Sequence, residues 1–166
     1  MQDNKSNTLS LRDFLPYRLT LIAKRVSDSL SQVYREEFDI GIAEWRILVH
    51  LGESQCQNAK DLGQMTAMDK SMVSRAIKLM EDKGYLLRKK SQSDNRAYFL
   101  SLSERGKELY KTLIPIALAW EAELLQSLNS PEYRDLLSIL SKLESRLDEP
   151  GFWRQPSADR AAHEGN

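Results

Sequence analysis

The sequence predicts a mainly α-helical fold with one small β-element, and three observations carry that expectation. Apolar residues recur at helical spacing over most of the chain, as in Leu15, Leu19, Ile22, Val26, Leu30 and Val33 near its start and Leu136, Leu140, Leu143 and Leu147 near its end. The period changes once, after Gly84, where YLLRKK and RAYFLSL are β-leaning runs joined by the turn-prone Ser91-Gln92-Ser93-Asp94-Asn95. Capping residues stand at the ends of the periodic stretches. With 166 residues, 41% of them hydrophobic and 29% charged, the chain has room for one domain with a real core, or for a small domain plus long association helices.

The first helix is expected over residues 14–37, with Asp13 as N-cap and Pro16 tolerated in the first turn. A second follows at about 42–52, with Gly41 at the cap and Glu44 three residues later. Its residues Ile42, Trp45, Ile47, Leu48, Val49 and Leu51 make it apolar nearly all round, so it should lie centrally. The third is short: Asn58 caps it, Asp61 takes the capping-box position, and it ends near Met65 before a brief Thr66-Ala67-Met68 turn.

Asp69 caps the fourth helix, Met68 and Val73 are spaced as a hydrophobic staple, and Gly84 stands where a left-handed terminal residue is wanted. Steps of about 100° per residue place Met72, Val73, Ala76, Ile77, Leu79 and Met80 on one arc and Ser71, Ser74, Arg75 and Lys78 on the other. Short helix, turn, amphipathic helix is a helix-turn-helix outline, and the basic hairpin behind it is a wing. Ser103 then caps a long helix to about 128 carrying Leu109, Leu113, Ile116, Trp120 and Leu124, with a kink expected at Pro115. Ser130 is expected to cap the last helix, with Pro131 at its first position. Neither terminal stripe finds an obvious partner in so short a chain, apart from the first helix and each other, which predicts a dimer built from the two ends.

Several function classes are disfavoured. One cysteine, Cys56, allows no internal disulfide, and two histidines beside it make no metal-ligand set. Phosphate loops and nucleophile elbows are absent from the sequence, which disfavours an enzyme. The start, MQDNKSNTLS, lacks a signal peptide's apolar segment, so a cytoplasmic protein is expected. Net charge is zero, yet residues 60–96 hold nine Lys/Arg against five Asp/Glu, which suggests a localised polyanion site in a neutral protein. The polar arc of the fourth helix can simply meet water, but on the second helix of such a motif it suits a DNA major groove, where Arg and Lys reach guanine edges or phosphates.

From Met72 to Gly106 the run MVSRAIKLMEDKGYLLRKKSQSDNRAYFLSLSERG resembles the MarR (multiple antibiotic resistance regulator) family of winged helix-turn-helix repressors. It has a recognition helix ending Glu-x-x-Gly, Arg on the first wing strand, Asp-x-Arg in the wing, and Leu-x-Leu-Ser before the next helix. The resemblance extends over residues 11–147. It implies one domain over 1–166: dimerisation helices at 11–37 and 104–147, a winged helix-turn-helix at 42–102, and an irregular tail at 148–166. It further implies a homodimer on a pseudo-palindromic operator, with the two recognition helices in successive major grooves. Arg96 is expected in the adjacent minor groove and Asp94 orients the wing. The DNA-binding residues expected are Asn58, Lys60, Lys70, Ser71, Ser74, Arg75, Lys78, Arg88, Lys89, Lys90, Asp94 and Arg96. Arg88, Lys89 and Lys90 are expected on phosphates or solvent rather than on bases.

Members of the family commonly respond to small aromatic or phenolic compounds, and some to cysteine oxidation. This chain has no cysteine near the start of its first helix, which favours a small-molecule effector over a response through Cys56. In the buried second helix Arg46 and His50 need an anion, a carbonyl or a carboxylate partner. An aromatic carboxylate suits Arg46 beside Trp45, with Tyr17, Arg18 and Ile22 of the first helix approaching the same space; an intramolecular partner for Arg46 is the alternative. A winged module that binds protein rather than DNA is the other reading of the whole; it would not depend on Ser74, Arg75 or Arg96.

Overall fold

A computed structural model describes residues 9–54, 57–90 and 98–153. Asp94, Arg96 and Cys56, and the tail from 154 onward, lie outside the described residues. Six helices and three short strands follow in the order α1 (Leu15–Phe38), α2 (Ile42–Ser54), β1 (Gln57–Asn58), α3 (Ala59–Thr66), α4 (Lys70–Asp82), β2 (Leu86–Lys90), β3 (Tyr98–Leu102), α5 (Glu104–Leu125) and α6 (Ser130–Asp148). The chain divides into two compact units between Glu121 and Ala122.

Within the first unit α2 is central, packing on α1, α3, α4 and β3. Its Ile47, Leu48 and Leu51 meet Tyr34 and Ile40, Leu62 of α3, the inner face of α4, Leu86, Leu100 and Leu102 of the sheet, and Leu109 and Leu113 of α5. Fully burying each such aliphatic side chain contributes about 1.5–3 kcal/mol, so this one cluster fixes how α3 and α4 sit on α2. The helix-turn-helix bend is made at Ala67, left-handed at φ 52°, where Met68 N–H returns to the Gly63 carbonyl at 3.1 Å. A non-glycine residue in that region costs about 1–2 kcal/mol, which the surrounding packing must offset.

The sheet is antiparallel in the order β1-β3-β2. Leu86 pairs with Leu102 and Lys90 with Tyr98, while Gln57 pairs with Leu100. β2 and β3 form the two-stranded hairpin expected, and β1, from the segment before α3, adds a third strand to the sheet that the sequence did not suggest; it spans only two residues, too few to show any alternation.

Other boundaries differ for local reasons. The N-cap of α1 is Phe14, which makes no side-chain cap, whereas Asp13 accepts a hydrogen bond from the Ser10 hydroxyl at 2.8 Å in the preceding turn. The last helix is capped by Asn129, not Ser130: the Asn129 side-chain oxygen accepts from Glu132 N–H at 3.0 Å and the Glu132 carboxylate accepts from Asn129 N–H at 2.8 Å. Ser103 does cap α5, accepting from Gly106 N–H at 3.0 Å, and α5 runs through Pro115 to Leu125. The largest departure concerns Met72 and Leu79, expected in the core but 38% and 48% exposed. They flank the buried stripe Val73, Ala76, Ile77 and Met80 and line a cavity with Ala43 and Glu44 of α2. No residue of α6 is buried in the single chain, and Leu136, Leu137, Ile139 and Leu147 stand exposed.

Candidate nucleic-acid interface

The second helix of the motif is held firmly at both ends. At its start the Asp69 carboxylate accepts from Met72 N–H at 2.8 Å and from the Ser71 hydroxyl at 2.8 Å. Those two bonds hold its pKa below the usual carboxylate range, with the Met72 N–H the larger cause. At its end Gly84, at φ 73°, donates to the Glu81 carbonyl at 2.9 Å and Tyr85 N–H to the Met80 carbonyl at 2.8 Å. This is a Schellman closure, which needs a residue that tolerates positive φ.

Between those ends Ser71, Ser74, Arg75 and Lys78 are exposed on the arc facing away from the core. Two grooves lie beside that arc. One, of about 590 Å³, runs between α3 and α4 and is lined by Lys60, Gly63, Gln64, Met68, Lys70 and Ser74 among others. The other, of about 500 Å³, opens toward the sheet and is lined by Asn58, Lys60, Ser74, Ile77, Arg88 and Tyr98 among others. Lys60 and Ser74 border both, so they form the ridge between them.

Charge on this surface is of two kinds. Lys60, Lys70, Arg75, Lys78, Lys89 and Lys90 enter no ion pair among the described residues. Such cations can neutralise phosphates, with release of condensed counterions. Arg88 is different: its Nε and Nη2 donate to the Glu81 carboxylate at 2.7 and 2.9 Å, and its guanidinium lies 5.3 Å from the Tyr98 ring centroid. It braces the wing against α4 and brings less free charge than expected. The Asn58 side chain is likewise engaged, accepting from Asp61 N–H at 2.9 Å and donating to the Asp61 carboxylate at 2.6 Å. Ser71 spends its proton on Asp69. Arg75 is exposed and makes only a local bond, Nε to the Ser71 carbonyl at 3.3 Å. Gln64 also lines the first groove and is not among the residues expected from the sequence; its i, i+4 spacing from Lys60 on α3 was the available signal.

Six residues are expected from the sequence to hold an effector. Tyr17, Arg18 and Ile22 lie on the exposed N-terminal half of α1, and none of the six lines any of the four described cavities. Trp45 stacks on Tyr34, ring centroids 5.0 Å apart at 12°. Burial pushes the Tyr34 hydroxyl up to about 12 against the opposing charges of Arg35 and Arg46, so it stays neutral at ordinary pH. Arg46 donates through Nη1 to the Thr66 carbonyl at 3.2 Å, at the helix-turn-helix bend, and His50 is half-buried on α2.

The family model described as the MarR family matches residues 40–98, from just before α2 to the start of β3. An uncharacterized HTH-type transcriptional regulator of Bacillus cereus is 24% identical over 123 residues, which is 74% of this chain and 82% of that protein. The crystal structure of a MarR/EmrR family transcriptional regulator from Acinetobacter sp. ADP1 superposes with a TM-score of 0.76 at 28% identity, over 84% of this chain and 99% of that one. NadR, crystallised in complex with 4-hydroxyphenylacetate, shares the fold at a TM-score of 0.67 and 19% identity, over 86% of this chain and 97% of its own.

Proposed function

We propose that this chain, a member of the MarR family of DNA-binding transcriptional regulators and not an enzyme, is a homodimeric repressor released from a pseudo-palindromic operator by a small aromatic acid. The observation that carries the DNA part is the outer arc of α4. Ser74, Arg75 and Lys78 stand exposed on it, with Ser74, Lys60 and Lys70 lining the groove between α3 and α4 and no carboxylate paired to Arg75 or these lysines among the described residues. In this reading the guanidinium of Arg75 and the amide of Gln64 read base edges, and Lys60, Lys70, Lys78, Lys89 and Lys90 act on phosphates. Asp94 and Arg96 belong to the same reading through the wing.

A second copy is the occupant we assign to the apolar faces of the terminal helices. Leu136, Leu137, Ile139 and Leu147 of α6 are exposed, as are Leu15, Leu19, Leu21 and Ile22 of α1, and exposed apolar stripes of this kind mark association surfaces. The effector reading is supported by the fold shared with NadR, crystallised with the phenolic carboxylate 4-hydroxyphenylacetate, and by the cationic and aromatic side chains that Tyr17, Arg18, Trp45, Arg46 and His50 supply on α1 and α2. A guanidinium has five N–H donors, so the bond from Arg46 to Thr66 leaves others for a carboxylate.

The test is selection of duplexes from a randomised pool by the purified protein, followed by mobility shifts of the winners with and without 4-hydroxyphenylacetate. Enrichment of an inverted repeat bound by a dimer, with weaker binding as the acid is added, is the expected outcome. Absence of any enriched sequence would contradict the DNA reading; enrichment with no response to a panel of aromatic acids would contradict the effector reading alone.

A further inference from the structure

Glu44 is the only charged residue buried among the described residues, with 8% of its side chain exposed. A carboxylate in that position is costly unless every oxygen is met. Oε2 accepts from Gly41 N–H at 2.8 Å and Oε1 from Lys83 Nζ at 2.9 Å. A Cβ at position 41 would stand 2.9 Å from Oε2, so a larger residue there would push the carboxylate aside. The same ammonium donates to the Asp39 carbonyl and lies 3.2 Å from the Asp39 carboxylate. Burial lowers the Lys83 pKa, but the hydrogen bonds and charges of Glu44 and Asp39 outweigh it and leave the ammonium above its ordinary value.

These three residues occupy particular places. Asp39 is the left-handed C-cap of α1, at φ 52°; Glu44 is in the first turn of α2; Lys83 is the C-cap of α4. One ammonium thus joins the end of the helix that reads DNA to the corner between the first two helices. A buried ion pair is weak as a source of stability, because well-packed apolar side chains often match it, but its directional bonds admit only one arrangement. We propose that Glu44 and Lys83 are positioning residues for DNA recognition, setting the angle of α4 on α2 so that the two recognition helices of a dimer meet half-sites at one fixed spacing. This rests on α4 being the helix that reads the operator.

The measurement uses the full-length protein, a duplex selected by the wild-type protein, and copies of it with one base pair added or removed between half-sites. Lys83→Met keeps the aliphatic stem and removes the charge; Glu44→Gln keeps an acceptor for Gly41 N–H and removes the ion pair. Each is expected to weaken binding to the selected duplex by about 3- to 100-fold, the range of contact coupling energies, and to narrow its preference over the respaced copies. Affinity for random duplex and its salt dependence should not move, because the phosphate-facing lysines are untouched. Lys83→Arg, which can still bond Glu44, should restore spacing preference, and the double variant should be no worse than either single. A merely stabilising pair would lower the melting temperature yet leave the spacing preference as in the wild type, and that result, or additive losses in the double variant, overturns the proposal. Should Lys83→Met not fold, Glu44→Gln and Lys83→Arg decide on the same readout. If the wild-type protein selects no duplex at all, the DNA reading fails first and this inference with it.

Discussion

Alanine substitution at two helical glycines should have opposite effects, because the structure surrounds them differently. Gly106, in the first turn of α5, is buried under the chain that links α4 to the wing. A Cβ there would lie 2.2 Å from the Tyr85 carbonyl oxygen and 3.1 Å from its carbon. A carbon-to-oxygen contact needs about 3.3 Å, so α5 and that carbonyl must part by about 1 Å. The carbonyl cannot swing away freely, since it accepts from Ser103 N–H at 3.0 Å, and the Ser103 hydroxyl donates to the Gly84 carbonyl at 2.6 Å. Overpacking of about 1–3 kcal/mol and a strained hydrogen bond of about 1 kcal/mol outweigh a helix-propensity gain of at most about 1 kcal/mol. Gly106→Ala should therefore lose about 2 kcal/mol, or roughly 4–8 °C of Tm for a chain of this size. Gly63 in α3 meets only ordinary contacts, 3.5 Å to the Met68 carbonyl oxygen and 3.8 Å to Val73. There Gly63→Ala should be neutral or gain up to about 1 kcal/mol. Thermal unfolding of both variants at one protein concentration is the assay, the concentration being fixed because dimerisation contributes to Tm. A Gly106→Ala protein as stable as the wild type, or a Gly63→Ala protein destabilised as much as it, would refute the packing argument.

Arg75→Ala should weaken binding to the selected operator by about 1–3 kcal/mol and relax its base preference, read by mobility shift; equal losses on operator and random DNA would place Arg75 on phosphates only. Removing residues 130–166 takes Leu136, Leu140, Leu143 and Leu147 together and should yield monomeric or insoluble protein by light scattering; a soluble, operator-competent dimer would contradict the second-copy assignment. Arg46→Ala should cost about 0.5–1.5 kcal/mol of stability for the lost bond to the Thr66 carbonyl, still bind the operator, and no longer release it with an aromatic acid. A folded variant that releases DNA at the wild-type ligand concentration would remove Arg46 from the effector site.

What was legible in the sequence was local. The Asn58 and Asp69 caps and the closure at Gly84 follow from hydrogen bonds spanning a few residues, and each stands where the residue types place it. The division of α4 into a core stripe and a polar arc followed from spacing alone, although spacing could not say how wide a stripe α2 would cover, so Met72 and Leu79 were misplaced. Pairings between distant positions were not legible. Nothing periodic links Glu44 to Lys83, 39 residues apart, or Arg46 to Thr66, 20 apart. Arg88 looked like free charge because Glu81 lies on the preceding helix and meets it only after the chain turns back at Gly84. Gln64 was passed over because an uncharged amide adds nothing to a count of basic residues.

In the proposed function the outer arc of α4 enters the major groove of two half-sites. Dimethyl sulfate protection on the selected duplex reports this directly, because it modifies guanine N7 in that groove. The predicted pattern is two symmetry-related sets of protected guanines about one helical turn apart, present with the wild-type protein and reduced with Arg75→Ala. Binding that leaves every guanine N7 as reactive as in free DNA, or protections unchanged by Arg75→Ala, would contradict it.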